Sequence, residues 1–124
     1  MIVGPQEALA TVSLGPADEP TDVARRIEDA LTAMGAGADD DALVFADLFG
    51  GSPANAAASL LARRPDLEVL AGVNLPMAVE ILTDRSGPAR DLAAKALEAG
   101  RDSVVDAGSK IRASLKQRSK ESGD

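Results

Sequence analysis

The sequence has no histidine, cysteine, tryptophan or tyrosine, and its only aromatic residues are Phe45 and Phe49. Without cysteine there is no disulfide framework, thiolate metal site or cysteine nucleophile. Without histidine these 124 residues offer no imidazole general base, no imidazole metal ligand and no phosphohistidine. Long apolar runs are also lacking. Nothing approaches the roughly 18 residues a membrane-spanning helix needs, and residues 1–15 lack the basic start and long apolar stretch of a signal peptide. The expectation is a cytoplasmic protein with no direct membrane insertion. Positive charge is scarce as well, with 13 basic against 20 acidic residues, and the net charge of −7 argues against a general affinity for nucleic acid.

What is present suits one domain with a tightly built core. A chain of 124 residues falls in the single-domain range, and 24 of its 56 apolar residues are alanine, so the core has to be packed closely from small side chains. Charge divides the chain: residues 1–108 carry a net −10 and residues 109–124 a net +3, the latter from Lys110, Arg112, Lys116, Arg118 and Lys120. This predicts a folded domain over 1–108 and a basic, disordered tail over 109–124. The Asp39-Asp40-Asp41 run sits in a glycine-rich loop without further ligands at metal-loop spacing, so a solvated turn is expected and no metal site.

Periodicity then orders the elements. Ala10, Val12 and Leu14 alternate with Thr11 and Ser13, which predicts a half-exposed strand over 8–14 at a sheet edge. Val23, Ile27, Ala30, Leu31 and Met34 recur at helical spacing, with Gly35 where a C-terminal cap belongs. The continuous apolar run Ala42–Ala46 reads as a doubly covered strand at the centre of a parallel sheet. A helix over 53–64 burying Ala54, Ala57, Ala58 and Leu61 follows, then a strand over 67–73 and a helix opened by Asn74 and Pro76. A further helix bears Ala89, Leu92, Ala93, Ala96 and Leu97 and ends at Gly100, and residues 103–107 make a last short strand. Strands alternating with helices predict an α/β fold. Met1 to Pro5 admits two readings, the last turn of a helix closed by Gly4-Pro5 or an extended lead into the first strand.

Two segments carry the chemistry. Asp47 falls at the carboxyl end of the central strand, the edge where open α/β sheets bind ligands. Gly50 and Gly51 keep side chains away from a ligand, and Ser52-Pro53 opens the next helix, so free amides and a positive dipole end face the same crevice, an arrangement suited to a phosphoryl group. Taken alone, Gly-Gly-Ser-Pro is also compatible with a plain strand-to-helix turn, being neither a Walker A loop nor a dinucleotide fingerprint. Residues 71–77 repeat the design after the next strand, with Asn74 as a helix cap or as a site-lining amide.

The run Phe45-Ala46-Asp47-Leu48-Phe49-Gly50-Gly51-Ser52-Pro53 through Asn55-Ala56-Ala57, with Gly72-Val73-Asn74-Leu75-Pro76-Met77 and Glu80, closely resembles the IIA domain of the mannose/fructose/sorbose family of the bacterial sugar phosphotransferase system. The similarity runs from Met1 to about Ala107. It implies a mostly parallel sheet with helices on both faces, a homodimer exchanging a terminal strand at 103–107, and no cofactor. It also implies a phosphoryl carrier: phosphoenolpyruvate charges enzyme I, then HPr, then a histidine on IIA, which passes the group to IIB and, through the IIC and IID membrane components, to the sugar. On this resemblance Asp47 orients the acceptor imidazole and Ser52 assists catalysis. Gly50, Gly51 and Ser52 bind the phosphoryl group, while Phe49, Pro53 and Asn74 line the site. The family's histidine lies in a loop after its first strand, and the match here starts at the end of its first helix. The expectation is that Met1 is an internal methionine preceded by roughly 20 residues, and that the printed chain is inactive as it stands. The alternative is a histidine-less regulatory module whose IIA-like surface binds IIB or a transcriptional regulator.

Overall fold

The computed structural model describes residues 8–15, 18–37, 39–47 and 52–121. Its elements are α1 (Pro20–Ala33), β1 (Ala42–Ala46), α2 (Ser52–Ser59) with a 3-10 turn over Leu60–Ala62, β2 (Leu67–Ala71), α3 (Leu75–Thr83), α4 (Ala89–Ser103) and α5 (Ala107–Glu121). β1 and β2 pair in parallel, with Ala42 opposite Leu67 and Ala46 opposite Ala71, and α2 supplies the crossover that a parallel pair requires. Side chains alternate across this ribbon. Ala42, Val44, Leu67 and Val69 face a cluster with Val23, Ile27 and Leu31 of α1 and with Ala57 and Leu60. Leu43, Phe45 and Leu70 face Met77 and Ile81 of α3 and Leu92 and Ala96 of α4. Helices therefore cover both faces of a small parallel sheet, as the alternation of elements predicts. Among the described residues no helix is long and apolar enough to cross a membrane.

Small residues bring the layers together. Ala57 and Ala96 are fully buried. At Gly100 a Cβ would lie 2.5 Å from Met77 Cγ and 2.6 Å from its Sδ, so the missing side chain is what lets α4 close on α3. Arg64 ties the other layer. Only 2% exposed, it donates from Nε to Glu28 Oε1 (3.0 Å), from Nη1 to the Gly37 carbonyl (2.7 Å) and from Nη2 to the Ala36 carbonyl (3.0 Å). One guanidinium thus holds α1, the loop into β1 and the approach to β2 together, its planar fork matched to three acceptors. The acidic run is put to use: Asp40 Oδ2 accepts from Gly37 N (2.8 Å), and Asp41 Oδ2 accepts from Ala89 N (2.6 Å), capping the first turn of α4 from across the fold.

The structure departs from the sequence expectations in several places. Residues 8–14 belong to no strand. Arg85 holds the Ala8 carbonyl and Arg26 the Ser13 carbonyl, but among the described residues the segment has no ladder neighbour, and alternation without a neighbour does not make a strand. β1, expected at the sheet centre, pairs only with β2 among the described residues. β2 stops at Ala71. The α2 segment buries Ala54, Ala56, Ala57 and Leu60 and leaves Ala58 and Leu61 exposed, a rotation that aims Arg64, one turn beyond Leu60, at Glu28. α4 runs past Gly100 to Ser103, and Leu97 on its predicted stripe is exposed. No strand forms at 103–107, where Val104 and Val105 stand exposed with no sheet edge beside them.

The basic segment expected to be a disordered tail is the helix α5, which buries none of its residues. Its composition favours helix, and Asp106 accepts at Oδ1 from Ser109 N (2.9 Å) and at Oδ2 from Ser109 Oγ (2.7 Å). Those bonds, the amide's first, hold the Asp106 carboxyl below its ordinary range. The reading of Met1 to Pro5 lies outside the described residues.

Two substitutions test this packing. Gly100→Ala would stabilise an exposed helix by about 1 kcal/mol, but here the contact with Met77 is expected to reverse the sign and lower stability by about 1–2 kcal/mol, read as a lower urea midpoint. Arg64→Ala leaves Glu28 and two carbonyls without their partner and is expected to cost about 3 kcal/mol by the same measurement, an unchanged midpoint counting against the clasp.

Candidate functional site

Two parallel strands leave both carboxyl ends on one edge of the sheet, and the loops that follow them share that edge. Asp47 comes directly after β1 and is exposed there. The second loop is bonded to the end of β1, since Val73 N donates to the carbonyl of Ala46 (3.2 Å), the residue just before Asp47. Gly72 makes the turn out of β2 at φ +76°, in the left-handed region that favours glycine.

Asn74 then starts α3. Its Oδ1 accepts from Met77 N (3.2 Å), an N-cap, while its Nδ2 donates to the Gly100 carbonyl (3.1 Å) and to Ser103 Oγ (3.2 Å). Ser103 Oγ in turn donates to the Gly100 carbonyl (2.7 Å). The amide of Asn74 therefore clamps the start of α3 to the end of α4 at the edge where Asp47 stands. α2 begins at Ser52, with half-buried Pro53 as its second residue, so the positive end of its dipole falls at the start of the helix that follows β1 in the chain.

Of the residues singled out in the sequence, Asp47, Pro53 and Asn74 are thus located in full and Ser52 by its backbone. Phe49, Gly50 and Gly51 lie outside the described residues. The bonds of Gly100 and Ser103 to Asn74 escaped the sequence reading, because the residues meet from 26 and 29 positions away and local spacing carries no sign of it.

A family model described as PTS system fructose IIA component matches residues 1–98. The PTS system mannose-specific EIIAB component of Escherichia coli K12 is 34% identical over 106 residues, covering 84% of this chain and 32% of that protein. The chain therefore spans about a third of the length of that relative. The sorbose-specific EIIA component of Klebsiella pneumoniae is 32% identical over 77 residues, 62% of this chain and 55% of that one. Among solved structures, the mannose/sorbose specific IIA subunit from Enterococcus faecalis superposes with a TM-score of 0.68 at 33% identity, covering 76% of this chain and 69% of that one. The phosphotransferase component EIIA from Streptococcus agalactiae gives a TM-score of 0.65 at 26% identity, over 76% and 72% of the two chains.

The clamp is open to test. Asn74→Ala is expected to lower stability by about 1–2 kcal/mol, and Asn74→Ser, which restores the cap alone, to recover roughly half of it. Equal thermal midpoints for Asn74→Ala and the parent chain would remove the clamp.

Proposed function

This chain belongs to the IIA-component family of the mannose/fructose/sorbose phosphotransferase system, and we propose that it serves there as a phosphoryl carrier, taking phosphate from HPr and passing it to a IIB domain. The observation that supports this reading is the shared sheet edge, where Asp47 follows β1 and the clamped start of α3 follows β2, the two brought together by the bond from Val73 to Ala46. That edge combines a carboxylate with the starts of two helices, the groups a phosphorylated imidazole needs around it. The sequence has no histidine, so the acceptor imidazole is not among these 124 residues. The work assigned to the chain is to surround it.

In the proposed step a ring nitrogen of that imidazole attacks the phosphorus of phosphohistidine on HPr, the bond to the HPr imidazole breaks, and the phosphoryl group stays on the new nitrogen. Asp47 accepts a hydrogen bond from the other ring nitrogen, fixing the tautomer and favouring the positive charge that develops as the bond forms. The amides of Gly50, Gly51 and Ser52 and the Ser52 hydroxyl stabilise the charge on the phosphoryl oxygens, with Phe49 and Pro53 as flanking walls. Positioning and electrostatics carry the rate, as in phosphoryl transfer generally. HPr and IIB are the direct partners, the IIC and IID components the indirect ones, and a cytoplasmic homodimer built on a domain over 1–108 is the proposed form. One observation favours a second reading: a chain without histidine is suited to a regulatory module that binds IIB or a transcriptional regulator without accepting phosphate.

Transfer of labelled phosphate from phosphoenolpyruvate through enzyme I and HPr decides between them. The protein isolated from its own locus is expected to take up acid-labile label, and Asp47→Ala in that protein to slow uptake on the order of 10²-fold. Binding of HPr or IIB with no label in the isolated protein would favour the regulatory module instead.

A further inference from the structure

α5 has no place in the packed fold. It spans 15 residues, Ala107–Glu121, and buries none of them. Among the described residues no ion pair joins it to the acidic body. The family match stops at residue 98, before α5 begins, so the shared domain does not account for this helix. Its surface is sorted. Between Asp106 and Glu121 there is no acid, and five cations stand there, Lys110, Arg112, Lys116, Arg118 and Lys120. Ile111 and Leu115, 59% and 57% exposed, are one turn apart and share a face. At about 3.6 residues per turn, Arg118 and Arg112 flank that face on either side, and Lys110, Lys116 and Lys120 occupy the rest of the circumference.

We propose that α5 is a membrane-surface helix, which lies along an anionic phospholipid bilayer with Ile111 and Leu115 seated among the acyl chains and the cations among the headgroup phosphates. The apolar face and the spread of charge together choose the occupant. Nucleic acid would pair with the cations and leave Ile111 and Leu115 in water. A second α5 would cover the apolar pair but set five cations against five. An acidic groove on a protein meets one face of a helix and would leave the lysines of the far side idle. A charged layer does not, because headgroups rise on both sides of an embedded helix about 10–12 Å across and their field extends a further Debye length of about 8 Å. The net −10 of residues 1–108 opposes the approach, yet α5 is about 22 Å long at about 1.5 Å per residue and buries nothing against the body, so its far cations lie outside that screened repulsion. The helix lies on the bilayer without crossing it, being shorter than the hydrocarbon core of about 30 Å. The proposal stands whether or not the chain takes part in phosphoryl transfer.

The test is co-sedimentation of the full 124-residue chain with vesicles of phosphatidylcholine, either pure or containing about a third phosphatidylglycerol. Binding is expected to be tighter by about tenfold or more on the anionic vesicles, and to weaken by about tenfold when salt is raised from about 0.1 M to about 0.5 M. Lys116→Gln combined with Lys120→Gln is expected to weaken it by about tenfold or more. Ile111→Gln combined with Leu115→Gln is expected to do the same with every cation in place. All four positions are exposed and glutamine suits a helix, so the circular dichroism spectrum is expected to stay unchanged. Because the chain has no tryptophan, Leu115→Trp supplies a single fluorophore, whose emission is expected to shift to the blue on the anionic vesicles only. No binding, equal binding to both kinds of vesicle, or undiminished binding by the Ile111→Gln, Leu115→Gln chain would overturn the proposal. So would a blue shift without vesicles: one that grows with protein concentration would assign the apolar face to a second copy, and one produced by polyglutamate would assign α5 to an acidic protein.

Discussion

Because β1 and β2 run parallel in register, every side chain along them is handed alternately to one helical layer or the other, and everything else in the structure is arranged around that division. A pair of strands such as β1 and β2 has too little surface to hold itself together in water, so its stability comes from the helices laid on both faces. The same pairing puts the carboxyl ends of both strands on one edge. Asp47 and Asn74, far apart in the chain, thereby come to one edge, where Val73, just before Asn74, donates to the carbonyl of Ala46, just before Asp47.

The two layers are fastened by different means. Between α1 and the β1–β2 connection the fastening is polar: the Arg64 guanidinium is buried and supplied with a carboxylate and two carbonyls, which makes the arrangement specific as well as costly to break. Between α3 and α4 it is steric, resting on the absence of a side chain at Gly100 and the bulk of Met77. Asn74 adds a polar stitch at the end of that second interface nearest the site. The rigidity of the α3 start is therefore inherited from the helix pair behind it.

Much of this was legible in the chain. The helical stripe of α1, the cap of α3 by Asn74 and the short apolar runs of β1 and β2 follow from spacing within a few residues, and the structure agrees on each. Of the candidate site, the carboxylate after β1 and the Ser-Pro start of α2 were legible as local patterns, while Phe49, Gly50 and Gly51 lie outside the described residues. The strands read at 8–14 and 103–107 were not realised, because a strand is defined by its neighbour and the sequence pattern only qualifies a segment to have one. α5 was misread for the opposite reason: its charge suggested solvation, while helix propensity and the Asp106 cap act within the segment itself.

The sequence by itself determined the α/β class, most of the helices, both strands and the family, for these depend on periodicities and motifs that need no distant partner. Tertiary structure alone decided which face α2 buries, that Gly100 is a contact point rather than a stop, that Asp41 caps a helix 48 residues away, and that Arg64 is an interior residue. It also paired β1 with β2, Ala42 opposite Leu67 and Ala46 opposite Ala71. The reason is common to all of these. Burial and hydrogen bonding at long range are properties of the folded arrangement, and a residue's own neighbours in the chain carry no record of what the fold will bring against it.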